Sequence, residues 1–451
     1  MRLGYFFGSF FIALVQLYLQ MNNTSRMIGL MIGLWLAGYG LTPAAVQNWD
    51  LSTTTGYQHG DGTWSTDAAD TNWTAAGTAP RLAWSQTNEA TFSSLLAGSS
   101  QVTLSGALTA TYVLVSGNFY TLGMNPAELE VGASGIALSG KTNNFTIRNG
   151  SRVTLLASVS PSLKVRGISN SVVIDNSTVS NVNDAVVQIG FSTAGTRGNS
   201  LIVTNNGRLY GVAQIGVFVN DSNETAVVVG GAGVTSYWDM ASVLYNFNLG
   251  NGNNDGNNTL RIDGAGFPGS AIVTNINKAF YVGGNPRGRG DQLIVTNGGL
   301  LYSSVTLSFV NNGTTAGSTD NGFVVTGTGS LWEAGAAAVS AGGAGTTNNV
   351  IQVRNGGVAT NLGAITIDGV SNGLVVANGG KLFSKATTLG NAAGATLIYA
   401  SVSGGNSLWN LGGQNLTVGA LGRTNNSLLI DQAGTVDNVA TLTVNTNIRW
   451  C

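Results

Sequence analysis

Apolar residues recur along this chain as short triplets that run into Asn and Gly. Leu293-Ile-Val-Thr-Asn-Gly-Gly-Leu-Leu-Tyr302 carries the full phrase, which returns at Leu201–Tyr210, Phe323–Trp332 and Leu374–Phe383. A returning phrase marks an internal repeat. With the third residue of each triplet as marker, the series is Ile147, Ile174, Val203, Val229, Ile262, Val295, Val325, Val353, Val376, Val402 and Ile430. Steps of roughly 23 to 33 residues fall in the range of solenoid repeats. A second short strand, ending in Gly, follows in several units at Gln188–Gly190, Gln214–Gly216, Tyr281–Gly283, Thr388–Gly390 and Thr417–Gly419.

The triplets read by period two, with positions one and three inward. Leu260-Arg-Ile262 and Ile351-Gln-Val353 put a polar residue between them, whereas Ile202, Val228, Ile294, Val324, Val375 and Leu429 leave an apolar residue outward. One such unit cannot bury its apolar face alone, so units must stack and pair like strands in parallel. The expected fold is all-β: a parallel β-helix (β-solenoid), right-handed, with an N-terminal Trp-rich cap. About eleven to thirteen coils would make a rod on the order of 55 to 60 Å. Asn149, Asn205, Asn297, Asn355 and Asn378 follow the triplet at one offset and are expected to form an amide ladder. Gly207, Gly233, Gly266, Gly299, Gly329, Gly357, Gly380 and Gly434 share the offset two residues on, where positive φ is expected.

Composition supports this class. Charged residues make up 9% of 451, Gly reaches 65 and Pro only 6, which favours strands and turns over helices. A net charge of −1 gives no electrostatic case for nucleic acid as a partner. Residues 1–45 hold two apolar runs, the second followed by Thr42-Pro-Ala-Ala45. This reads as a signal peptide, the alternative being an N-terminal membrane segment. Residues 46–93, with Trp49, Trp64, Trp73 and Trp84, form the cap, and residues 94–451 the repeats. The remainder is expected to be secreted or displayed at a bacterial cell surface.

Candidate chemistry is sparse. His59 and Cys451 stand alone, so neither a disulfide framework nor a thiolate metal site is expected, and no cofactor or catalytic set is assigned. Gly369-Val-Ser-Asn-Gly373 matches a nucleophile elbow but lacks a following helix. Gly264–Gly269 matches a dinucleotide fingerprint outside a βαβ unit, and Gly250–Gly256 is a lone copy of a calcium-loop pattern. Arg289-Gly-Asp291 is an integrin-type tripeptide in a basic Gly-rich corner. Each is better read as a turn between coils. Asp175, Asp263 and Asp431 share one column but lie coils apart, and Asp368 stands elsewhere, whereas polysaccharide hydrolysis wants carboxylates together.

Tyr210, Tyr302, Trp332, Phe383 and Trp409, each after a Leu taken as inward, form the one candidate surface-binding column. Aromatics so spaced can meet sugar rings or a partner protein, and the alternative is that they cover a core edge.

The Trp-rich opening (Gly62-Thr-Trp-Ser65, Asn72-Trp-Thr74, Glu89-Ala-Thr-Phe92), with the Asn-Gly-Gly and Gly-Ser-Leu-Trp phrases, resembles bacterial autotransporter passengers and autotransporter-associated β-strand repeat proteins over about residues 49–445. The resemblance implies export and a structural or adhesive role at the cell surface, with glycans or proteins as partners. It also implies membrane contact through the N-terminal segment or a C-terminal barrel. This chain stops at Arg449-Trp-Cys451 without such a barrel, so the expectation is a fragment or another export route. The competing expectation is a polysaccharide-degrading β-helix lyase or hydrolase.

Overall fold

The computed structural model describes residues 45–445, apart from 53–55, 76, 78–79, 95–97, 132–134, 157–162, 182–185, 191–195, 217–220, 251–255, 284–287, 310–317, 344, 421–422 and 424. The signal or anchor reading of the N-terminus and the closing residues 446–451 lie outside this set. Among the described residues there is no helix. All strands belong to one 39-stranded sheet.

Successive strands do not pair with each other. Each pairs in parallel with its counterpart one coil on, so the sheet winds into a β-solenoid with three strands per coil. On the first face, Leu201 and Val203 sit against Ala226 and Val228, which sit against Leu260 and Ile262. Inward side chains on this face form one column through Trp64, Leu104, Met124, Ile147, Ile174, Val203, Val228, Ile262, Val295, Val325, Val353, Val376 and Val402, and Ile430 keeps the register after Val402 but is 41% exposed. The second face stacks Val153, Val179, Leu209, Trp238, Val273 and Leu301 inward. The third stacks Val165, Ile189, Ile215, Leu249 and Val282. Alternation of inward and outward residues therefore closes one continuous core.

The marker series holds with one exception. In Thr225–Val229 the inward pair is Ala226 and Val228, and Val229 points out. Three consecutive valines hide the period, and the small Ala226 does the work of a larger inward residue.

At the N-terminal end of the described solenoid the strands are β1 (Val46–Trp49), β2 (Gly62–Trp64), β3 (Trp73–Thr74) and β4 (Glu89–Phe92). β1 pairs parallel to β4 and antiparallel to β3, the one antiparallel strand pair among the described residues. Trp49, Trp64, Trp73, Trp84 and Phe92 are all buried there. Their rings meet at centroid distances of 4.8 to 5.9 Å, several of them edge to face, a favoured aromatic geometry.

Of the turn glycines, Gly233, Gly266 and Gly329 have positive φ as expected, whereas Gly207, Gly299, Gly357, Gly380 and Gly434 do not. Gly299 and Gly380 are not at positive φ; that conformation falls on Gly298 and Gly379 just before them. A Cβ on Gly299 would lie 2.3 Å from the Ile262 carbonyl oxygen, and on Gly380 2.1 Å from that of Val353. Glycine stands at these corners because the preceding coil's backbone passes too close for any side chain.

Candidate functional site

The five aromatics do not form one column. Tyr210, Tyr302 and Phe383 point outward, half-buried, as expected. Trp332 and Trp409 point into the core, 1% and 0% exposed. Strand register explains the difference. Leu301 pairs with Trp332 and Tyr302 with Glu333; Leu382 pairs with Trp409 and Phe383 with Asn410. The Asn-Gly-Gly corner spans Asn297–Gly299, whereas Gly327-Thr-Gly-Ser330 and Gly404-Gly-Asn-Ser407 carry one residue more. One extra residue before a strand exchanges its inward and outward sets. Leu331 and Leu408 thereby turn outward.

The extra serine is fixed in place. Ser330 Oγ donates to the Thr326 carbonyl and accepts the Gly298 N–H, and Ser407 Oγ makes the same bonds with Ser403 and Gly379. The inward Trp residues of this second face each donate the indole N–H to the coil before. Trp238 reaches the Gly211 carbonyl at 2.8 Å, and Trp332 and Trp409 reach Ser303 Oγ and Ser384 Oγ at 3.0 Å. Each acceptor follows an outward aromatic (Tyr210, Tyr302 or Phe383), so inward and outward rings belong to one paired device.

On the second face the exposed aromatic surface therefore reduces to Tyr210, Tyr237, Tyr302 and Phe383. Tyr210 and Tyr237 lie on adjacent coils with ring centroids 6.2 Å apart. Burial and the neighbouring Asp239 carboxylate raise the Tyr237 phenol, keeping it protonated as a donor.

The third face carries a different outward column: Lys164, Gln188, Gln214, Asn248, Tyr281, Ser308, Ser340, Thr366, Thr388 and Thr417. Where amides give way to hydroxyls, a cleft of about 490 Å³ opens around Tyr281, with Ser304, Thr306 and Ser308 beside the ring and Ala279, Val305 and Ala337 as apolar lining. One aromatic ring with several hydroxyls can stack on and hydrogen-bond a polar, uncharged ligand.

The most regular polar feature is internal. Asn143, Asn170, Asn199, Asn258, Asn321, Asn349, Asn372 and Asn426 are buried at the corner just before a first-face strand, with Glu224 and Asp291 at the same position; Ile398 takes it between Asn372 and Asn426 and interrupts the series. Each accepts, on a side-chain oxygen, the N–H of its counterpart one coil earlier, from Asn143 N–H to Asn170 at 2.8 Å through Asn349 N–H to Asn372 at 2.7 Å. The residue before each rung has positive φ, as in Thr142, Ser169, Asn223, Asn257, Asp320, Asn348 and Ser371. This turn aims the next side chain into the core.

Two of the short motifs resolve as scaffold, while the calcium-loop motif Gly250–Gly256 lies mostly in 251–255, outside the described residues. Asp291 of the Arg-Gly-Asp sequence is fully buried in this ladder, so the tripeptide is not displayed. In Gly369–Gly373, Ser371 is the positive-φ residue and Asn372 a rung. Asp263 bonds Arg261, Asn297 and the Ala265 N–H, while Asp368 accepts the N–H groups of Asn391 and Ala392. His59 Nδ1 lies 2.9 Å from Ser100 Oγ, but Ser100 is buried beside the Trp cluster and also accepts the Gly60 N–H. Among the described residues no group of three His, Cys, Asp or Glu could hold a metal ion.

Comparison with known protein families, curated proteins and solved structures found no match. The functional reading therefore rests on the geometry above.

Proposed function

We propose that this protein is an exported scaffold, displayed at a cell surface or released outside the cell, which holds a neutral glycan or protein partner against its faces. The observation that carries the reading is the division of polar residues between inside and outside. A buried ladder at the first-face corner fixes the coils, while the third face presents Gln214, Tyr281 and a run of hydroxyls in register, Gln188 and Asn248 of the same column being buried. A polar surface locked to strand spacing suits recognition of an extended partner better than attack on one bond. The acids of the shared outward column, Asp175, Asp263 and Asp431, stand on separated coils, and Asp263 is engaged by Arg261 and Asn297. The resemblance to autotransporter passengers points the same way.

The test is binding of the full chain to a panel of neutral polysaccharides and surface proteins, beside Tyr281→Ala and Tyr302→Ala variants. The reading expects saturable binding weakened at least about tenfold by one variant, on the scale of a lost aromatic contact. Depolymerisation of a polysaccharide that disappears when one Asp is replaced would overturn it in favour of a β-helix enzyme. Recovery of the whole expressed protein in the cytoplasmic fraction would overturn the location.

A further inference from the structure

The amide rungs from Asn143 to Asn372 share one bonding pattern, whereas Asn426 Nδ2 is buried without a hydrogen-bond partner. Oδ1 accepts from the coil before, and Nδ2 donates: Asn321 and Asn349 give hydrogen bonds to the next rung's Oδ1 at 2.9 and 3.1 Å, and Asn143, Asn170 and Asn199 to a carbonyl of the preceding coil. Asp291 occupies such a rung without an N–H to give. Its Oδ1 behaves like its neighbours, accepting Asn258 N–H at 3.0 Å and Asn258 Nδ2–H at 2.9 Å.

Its Oδ2 takes the place that Nδ2 holds elsewhere, as the glycine ending the third-face strand shows. A Cβ on Gly216, Gly283 or Gly390 would strike Nδ2 of Asn258, Asn321 or Asn426 at 2.1, 2.2 and 2.5 Å. A Cβ on Gly250 would strike Asp291 Oδ2 at 1.9 Å. At this point the amides of Asn258 and Asn321 donate, the first to Asp291 Oδ1 and the second to the Gly288 carbonyl, Ser318 Oγ and Asn349 Oδ1. Asp291 Oδ2 is buried with no hydrogen-bond partner, and an ionised oxygen left so is costly. A proton on Oδ2 repairs the rung, because a carboxylic acid, like an amide, offers one acceptor and one donor.

We propose that Asp291 is held in the folded chain as a neutral carboxylic acid whose O–H replaces a ladder N–H, which makes the solenoid an acid-favoured structure that loosens at this rung as its surroundings turn alkaline. Among the described residues, the charged groups of this corner are Arg289 on the same turn and Asp320 on the next coil, both exposed. Glu224, with Asp221 beside it, stands two rungs earlier, and the adjoining rungs Asn258 and Asn321 are uncharged. Burial pushes the Asp291 carboxyl up to about 7, the Asn258 hydrogen bonds opposing it. The sign follows from linkage. The unfolded chain releases this proton near pH 4 and the folded chain near 7, so stability is greatest below about pH 4 and falls as pH rises between the two values.

The experiment compares thermal midpoints of the full chain and Asp291→Asn from pH 4.5 to 8.5, with hydrogen exchange at the Asn258 N–H as a local readout. The parent midpoint should fall by roughly 2–5 °C more than that of the Asn variant, and its Asn258 N–H should exchange faster, relative to the variant, at the alkaline end. Parallel pH profiles for the two chains would overturn the proposal. Should Asp291→Asn fail to fold, infrared spectra of the Glu224→Gln chain decide it. A protonated-carboxyl band at pH 6 that is lost on raising the pH supports the neutral acid, and its absence at pH 6 refutes it.

Discussion

Two columns of asparagine run along this solenoid, a few residues apart in each coil and opposite in kind. The outer column, Asn149, Asn205, Asn297, Asn355 and Asn378, is exposed and at positive φ. Its amides reach back to the coil before: Asn378 to Asn355 Oδ1 at 3.3 Å, Asn355 to Thr326 Oγ1 at 3.0 Å, Asn297 to Asp263 at 3.1 Å. The inner column is sealed, and its bonds to backbone N–H groups are the sole service those groups have. Outside, Asn is chosen for a backbone conformation it tolerates. Inside, it is chosen because both halves of its amide are used. The aromatics divide the same way, with Trp332 inside and Tyr302 outside from nearly the same phrase.

Substitutions on either side of this divide should separate widely. Trp332→Ala empties a core position and is expected to cost about 3–5 kcal/mol, against under about 1 kcal/mol for Tyr302→Ala, both read from denaturation midpoints. Equal losses would end the distinction between the two rings. Next, Asn321→Ala strands the buried Asp291 N–H and should cost about 2–3 kcal/mol. Deleting Ser330 restores a three-residue corner, so Trp332 should turn outward and become accessible to a fluorescence quencher. Unchanged quenching would refute the register argument. Glu224→Gln should raise the midpoint at pH 9 but not at pH 4. Burial lifts that carboxyl to about 8, so the parent loses stability as pH climbs from about 4 toward 8. The smallest effect belongs to the outer column, where Asn355→Gly should lie within about 0.5 kcal/mol of the parent.

Much of the scaffold was readable because inward triplets repeat at a period no globular mixture imitates. Val229 was misread because Val227, Val228 and Val229 offer no alternation, and only pairing with Leu201 and Val203 reveals Ala226 as inward. The aromatic column failed for another reason. Gly-Thr-Gly-Ser and Asn-Gly-Gly look alike as turns, yet their lengths differ by one, and parity decides which face a ring takes. The buried ladder did leave a trace in the pairs Thr142-Asn143, Ser169-Asn170, Asn257-Asn258, Asp320-Asn321, Asn348-Asn349 and Ser371-Asn372. Asparagine before a strand is ordinarily a solvated turn residue, and only stacked coils make it an interior one. The Tyr281 cleft had no signal in a single unit, since its walls come from neighbouring coils.

The ladder also gives the molecule a direction. From Asn143 to Asn349 each rung's N–H is satisfied by the amide or carboxyl of the coil that follows it in sequence, so a stack ended within this run carries one open donor at its tip. Within this run every added coil closes its predecessor's donor while exposing its own. A stack ended at any of these rungs would therefore leave its last donor open until the next coil is laid down.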